Sequence, residues 1–303
     1  MATDIYIISG FLGAGKTTFI RKLLDGPFRG SKVVLIENDF GEISVDAAIL
    51  KSGSIAVREL NSGCICCSLA GDFDKALIET IRRYEPDKIV IEPSGVGKLS
   101  AIEAVFETPA LAKLTKIRAK ITVADAIRCR MYLDNFGEFF EDQIEHADVL
   151  VLSRTDDAEK TKKAVTLLHT LNSDAPVYSV PWDRLDVGSI LSAAQRAPEA
   201  AHHHDDCCGH DHGAEEAFDT VTIRTDKTYT PELLKARFSG LVHGLSGNLL
   251  RAKGLVRGST GYLELQYVQG ELNVTTSEVP GDIICFIGKN LSSTELHALF
   301  DGK

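Results

Sequence analysis

One nine-residue stretch, Gly10-Phe11-Leu12-Gly13-Ala14-Gly15-Lys16-Thr17-Thr18, limits the folds open to this chain more than any other feature. It has the spacing G-x-x-x-x-G-K-[ST], and its flanks give the spacing meaning. Ile5-Tyr6-Ile7-Ile8 before it is a short apolar run suited to a buried parallel strand. Phe19-Ile20-Arg21-Lys22-Leu23-Leu24 after it reads as the first turns of an amphipathic helix. Strand, glycine turn and helix together make a phosphate cradle. Gly10, Gly13 and Gly15 let the backbone curl, so the N–H groups along Ala14 to Thr18 point inward beside a positive helix end. Lys16 then reaches the β- and γ-phosphates, and the Thr17 hydroxyl ligates Mg²⁺. A glycine turn that binds nothing would not need these flanks.

Further strands follow at the intervals of an α/β alternation. They are Lys32–Ile36, Ala56–Leu60, Lys88–Glu92, Ile117–Val123, Asp148–Leu152 and Val177–Val180, with helices over Asp72–Tyr84 and Asp157–Leu171. In such a sheet the carboxyl ends of the strands face the ligand. The acidic run Glu37-Asn38-Asp39-Phe40-Gly41-Glu42 at one strand end therefore reads as a switch segment beside the nucleotide. Glu92 closes another strand and takes the place of a carboxylate on the Mg²⁺ side. The loop Pro93–Gly97 beyond it is flexible enough to follow a γ-phosphate. Asp156, just past a strand end, is placed to accept hydrogen bonds from guanine N1 and N2.

The 303 residues allow two domains, and 44% hydrophobic with 25% charged residues is ordinary for a globular protein. A net charge of -10 argues against nucleic-acid and anionic-membrane partners. No signal peptide or apolar membrane span is read, so a cytoplasmic protein is expected. In that compartment the seven cysteines read as thiols or metal ligands. Cys64, Cys66 and Cys67 cluster in Cys64-Ile65-Cys66-Cys67, whereas core cysteines scatter. They offer soft ligands to Zn²⁺, Co²⁺ or Cu⁺, with Glu37 and Glu42 available to complete the shell, and this reading is favoured over a redox pair.

A second tract is richer still. Residues 202–212 hold five His, two Cys and three Asp, with His202, His203, His204, Cys207, Cys208, His210 and His212 as candidate ligands. The tract lacks periodicity and reads as a linker that captures metal with little geometric selectivity. Beyond it, an α+β domain with an antiparallel sheet is expected. Its strands are Phe218–Arg224, Asn248–Arg257, Tyr262–Val268, Glu271–Thr275 and Ile283–Ile287, and its helices start at Pro231 and Ser292. Lys253 and Arg257 read as a solvated face, and Cys129 and Cys285 as core thiols.

Gly10–Thr18 as GFLGAGKTT, Glu37–Glu42 as ENDFGE, Cys64–Cys67 as CICC and the strand ending in Glu92 resemble the CobW-like family of P-loop GTPases. Leu250–Gly254 and Ile287–Leu291 resemble that family's C-terminal domain. The resemblance implies a P-loop GTPase domain over residues 1–194 with a mostly parallel sheet. It also implies a His/Cys/Asp-rich linker over 195–216 and an α+β C-terminal domain over 217–303. It implies a slowly turning GTPase, with GTP and Mg²⁺ as cofactors, that carries Zn²⁺ or Co²⁺ to a client metalloprotein. Lys16, Thr17, Asp39 and Glu92 serve the phosphates, the switch and Mg²⁺, and Cys64, Cys66 and Cys67 with Glu37 or Glu42 hold the cargo metal. The chain departs from the family at the guanine motif, where Ser153-Arg154-Thr155-Asp156 stands for NKxD. Asp156 keeps the discriminating carboxylate, and Arg154 is expected to lay its guanidinium over the ring. Two other classes fit parts of the pattern: a P-loop kinase, and a metal buffer with a regulatory nucleotide site.

Overall fold

The computed structural model describes residues 2–37, 56–59, 70–196, 218–268 and 270–300. They belong to two compact units, one holding the described residues up to 196 and the other those from 218. The first is built on seven strands: β1 (Thr3–Ser9), β2 (Val33–Glu37), β3 (Ala56–Glu59), β4 (Lys88–Glu92), β5 (Thr115–Asp125), β6 (Val149–Ser153) and β7 (Val177–Tyr178). Their order is β3-β2-β4-β1-β5-β6-β7, and every neighbouring pair is parallel. Parallel strands need crossovers, which α1 (Lys16–Asp25), α2 (Ala70–Tyr84), α3 (Leu99–Phe106), α4 (Cys129–Glu145), α5 (Ala158–Leu171) and α6 (Val187–Ala194) help to supply.

Helices on both faces explain why the central strands read as unbroken apolar runs. Ile5, Ile7 and Ile8 of β1 are all fully buried. Phe19, Ile20 and Leu23 of α1, with Ile190 of α6, cover the face that carries Ile8, Leu35, Val90, Ile121 and Val151. Asp157 caps α5 by accepting from the N–H groups of Glu159 and Lys160, so the predicted helix starts where its cap stands. The last strand is shorter than predicted. Only Val177 and Tyr178 pair with β6, and the chain then enters a turn closed by the Arg184 N–H on the Pro181 carbonyl. β1 lies between β4 and β5, where the strand order reverses, and in such sheets ligands bind at that point beyond the carboxyl ends of the strands.

The second unit contains β8 (Asp219–Arg224), β9 (Thr228–Tyr229), β10 (Asn248–Gly258), β11 (Tyr262–Val268), β12 (Glu271–Ser277) and β13 (Ile283–Lys289). The path β12-β11-β10-β13-β8 is antiparallel throughout, and the short β9 adds a parallel pairing on β10. Helices α7 (Pro231–Gly244) and α8 (Ser293–Phe300) cover one face. Phe238 of α7 and Phe300 of α8 meet Phe286 of β13 there, with ring centroids 6.1 and 5.1 Å from it. Thr230 caps α7 by accepting from the Leu233 N–H, with Pro231 in the first turn where no N–H is missed. One expectation is corrected here: Lys253 is buried among the strands instead of lying on a solvated face, while Arg257 is exposed. Among the described residues no helix is long and apolar enough to cross a membrane.

Candidate nucleotide site

The glycine loop after β1 is shaped by close packing. Gly10 has φ +140°, and a Cβ there would lie 2.1 Å from the Val123 carbonyl oxygen of β5. No other residue fits, because both the backbone angle and the space exclude a side chain. Below the loop, Tyr132 of α4 donates to the Leu12 carbonyl at 3.2 Å, and the Phe11 ring packs 4.4 Å from the Tyr132 ring. Gly15 starts α1 in the left-handed region at φ +108°, no side chain caps the helix, and its first turn carries no acid. The N–H groups at that end are thus available to an anion. Lys16 is 4% exposed, and its Nζ donates to the Gly10 carbonyl at 3.0 Å and lies 3.9 Å from Glu92 Oε1. Thr17 Oγ1 lies 3.4 Å from each Glu92 carboxylate oxygen. Cradle, lysine, hydroxyl and strand-end carboxylate are therefore together, a donor set that suits a phosphate chain and a hard cation.

Acidic residues continue along the sheet edge. Glu92 is in register with Glu37 of β2, and Glu37 with Glu59 of β3. In-register residues of parallel neighbours point to the same face, so Glu37 and Glu92 share one. Glu37 is buried. The chain leaves β3 at Glu59, shortly before Cys64.

On the other side of β1, Asp125 ends β5 fully buried. It accepts from Arg128 at 2.7 Å, Arg154 at 2.6 Å and the Ile127 N–H at 2.9 Å. Arg154 adopts φ +52°, and its Nη1 also donates to the Gly13 carbonyl at 3.1 Å. The sequence suggested a guanidinium laid over a base; here it braces the glycine loop against β5. Asp156 is exposed two residues on, and Ser153 is buried with its hydroxyl directed to the Ala124 carbonyl. Trp182 donates Nε1 to the Leu152 carbonyl at 2.8 Å, and its indole lies 3.2 Å from where a Cβ on Gly15 would stand. Nothing local in the sequence marked Asp125, Tyr132 or Trp182 for this site.

The Pro93–Gly97 loop is packed, contrary to its glycine-rich appearance. Ser94 and Val96 are buried, and a Cβ on Gly95 would come within 2.9 Å of the Leu12 backbone. Cys129 is the core thiol expected: burial pushes it up to about 12, and its Sγ donates to the Asp125 carbonyl. Asp39, Glu42, Cys64, Cys66, Cys67, His202, His203, His204, Cys207, Cys208, His210 and His212 lie outside the described residues. Among the described residues no group of three or more His, Cys, Asp or Glu side chains is arranged to hold a metal ion.

Residues 4–179 match the family model described as CobW/HypB/UreG, nucleotide-binding domain. Residues 218–302 match the one described as cobalamin synthesis protein cobW C-terminal domain. The chain is similar to the zinc chaperone YjiA of Escherichia coli (strain K12), at 27% identity over 98% of both chains. It is also similar to the zinc chaperone CobW of a Sinorhizobium species, at 30% identity over 82% of this chain and 79% of that one. In fold it resembles a crystal structure of a Zn(II)-bound triple-mutant YjiA GTPase, with TM-score 0.51 and 24% identity, covering 100% of this chain and 99% of the other.

Proposed function

This chain belongs to the CobW/HypB/UreG nucleotide-binding family, and from that premise we propose that it is a cytoplasmic, GTP-hydrolysing metallochaperone. It binds Zn²⁺ in its Cys64–Cys67 segment, with Glu37 or Glu42 completing the site, and hands the ion to a client metalloprotein. Residues 1–194 act as the GTPase domain, 195–216 as a metal-capturing linker, and 217–303 as the C-terminal domain. Zinc is preferred to cobalt because relatives matching most of the chain are named zinc chaperones. Turnover is slow without a partner, as in small GTPases acting alone.

The observation that carries this reading is the acidic row at the sheet edge. Thr17 meets Glu92, Glu92 is in register with Glu37, and Glu37 is in register with Glu59, from which the chain runs on toward the cysteines. Glu92 and β3, after which Cys64 follows in sequence, are thus linked through β4 and β2. Thr17 and Glu92 are the residues to hold Mg²⁺, which supplies positive charge beside the phosphates when bound. The Lys16 bond to Gly10 is one that phosphate oxygens can replace.

The test is the Zn²⁺ and Co²⁺ dissociation constants of protein lacking residues 202–212. They are taken without nucleotide, with Mg-GDP and with a non-hydrolysable GTP analogue. Tighter Zn²⁺ binding with the analogue, by roughly 5–150-fold as for other coupled sites and lost in Cys66→Ala, is expected. Equal affinity in all three states would remove the chaperone mechanism.

A further inference from the structure

Gln143 of α4 is fully buried, far in sequence from the glycine loop, yet it reaches the segment that follows Glu92. Its Nε2 donates to the Gly97 carbonyl at 2.7 Å and to the Gly95 carbonyl at 3.3 Å. The two carbonyls leave no doubt about the orientation of the amide, since only its nitrogen can donate. Gly95 in turn lies against the Leu12 backbone so closely that no Cβ fits between them. The same helix touches the glycine loop from below through Tyr132 and the Leu12 carbonyl. One residue before Gln143, Asp142 accepts from the Ser100 N–H at 3.1 Å, holding the start of α3 just past the loop.

We propose that Gln143 is a positioning residue for the nucleotide site: it holds the Pro93–Gly97 loop down on the glycine loop, so that the site discriminates a nucleoside triphosphate from a diphosphate. This rests on the nucleotide reading above. Gly95 sits beside Leu12 and follows Glu92, the residue that meets Thr17, so the loop borders the end of the cradle where a terminal phosphate belongs. Holding its carbonyls from behind fixes which way its N–H groups and turn present themselves, at no cost in reorganisation when the triphosphate arrives. The buried Gln143 Oε1 has no hydrogen-bond partner among the described residues, so the amide is kept for its two donor bonds. A residue retained only for packing would not need an amide here, because an apolar side chain of equal size avoids burying that oxygen.

The test compares the full-length protein with Gln143→Met, which keeps volume and removes both donors, and Gln143→Glu, whose buried carboxyl can donate one bond in place of two. Affinities for Mg-GDP and for a non-hydrolysable GTP analogue are measured for each. In Gln143→Met the analogue-to-GDP affinity ratio is expected to fall about tenfold, the worth of one to two ordinary hydrogen bonds, while GDP affinity stays near that of the parent. Gln143→Glu should fall between. A merely structural role would weaken both nucleotides together and leave the ratio unchanged, and an unchanged or raised ratio in a variant that binds GDP overturns the proposal. If Gln143→Met fails to fold, Gln143→Glu decides by the same ratio. Failure of the parent protein to bind either nucleotide would overturn the nucleotide reading itself.

Discussion

The two sheets of this protein contain similar residues and put them to different use. In the first unit every strand runs the same way, so Ser9, Glu37, Glu92, Asp125 and Ser153 all arrive at one edge. Chemistry-bearing side chains from distant parts of the sequence meet there because parallel topology gathers strand ends. In the second unit neighbours along the path β12-β11-β10-β13-β8 alternate in direction, so the ends of neighbouring strands there fall on opposite edges. Its polar groups serve the fold instead. Tyr229 OH donates to the Phe300 carbonyl at 2.8 Å, and Ser246 donates its N–H and hydroxyl to Glu295. Glu295 is held below the usual carboxylate range by those bonds, as a loop fastener is. The difference gathers polar strand ends at one edge of the parallel sheet, while the polar groups named in the antiparallel unit fasten its own elements.

Glycine substitutions give the largest contrast. Gly10→Ala places a Cβ 2.1 Å from the Val123 oxygen at φ +140°, and should cost at least about 3 kcal/mol and abolish nucleotide binding. Gly261→Ala, in the β10–β11 turn at φ +76° with nothing within 4 Å, meets only left-handed strain of about 1 kcal/mol. Urea unfolding and GTP hydrolysis measured on both variants check this. Loss of hydrolysis in Gly261→Ala comparable to that in Gly10→Ala would erase the distinction between the sheets.

A core substitution sharpens the same contrast from the other side. Phe238→Ala empties the centre of a cluster with Tyr267, Phe286 and Phe300. A loss of roughly 3–5 kcal/mol is expected from the cavity, while GTP turnover per folded molecule stays at the parent rate. A turnover that falls in proportion to the added cavity would tie this core to the nucleotide site.

How much of this could be read from the sequence follows from how far each signal travels along the chain. The glycine loop, Glu92 and the caps at Asp157 and Thr230 are local patterns, and the structure places them where their spacing puts them. Tyr132 and Gln143 were invisible because their partners lie 120 and 46–48 residues away in the chain. Asp125, two residues beyond the predicted strand Ile117–Val123, was not legible as the group that holds Arg128 and Arg154. Its role depends on the order β1-β5-β6, which single-strand periodicity does not contain. The Pro93–Gly97 loop was misread as loose because glycines suit mobility and close packing equally. Gly95 is there for the second reason.

The smallest effect expected comes from the charged seam behind that loop. His146 at the end of α4 lies 3.4 Å from Glu103 of α3 and 3.9 Å from Asp142 of its own helix. Lys120 of β5 also faces Glu103, at 2.6 Å, and Asp148, at 3.7 Å. The Glu103 hydrogen bond raises the His146 imidazole above its usual value, with Asp142 and Glu103 charge adding to it against burial and Lys120. A folded value above the unfolded one means that His146 contributes stability fully below about pH 6.5 and loses it as pH rises through the raised value. His146 is 27% exposed, so the contribution is screened and should be about half a kcal/mol or less. Urea midpoints of the parent protein should fall slightly as pH rises above about 6.5 through the raised value, and His146→Gln should flatten that slope by the same amount. An identical slope in the variant would place the pH dependence elsewhere, with Asp148, which burial raises, as the next group in the seam to replace.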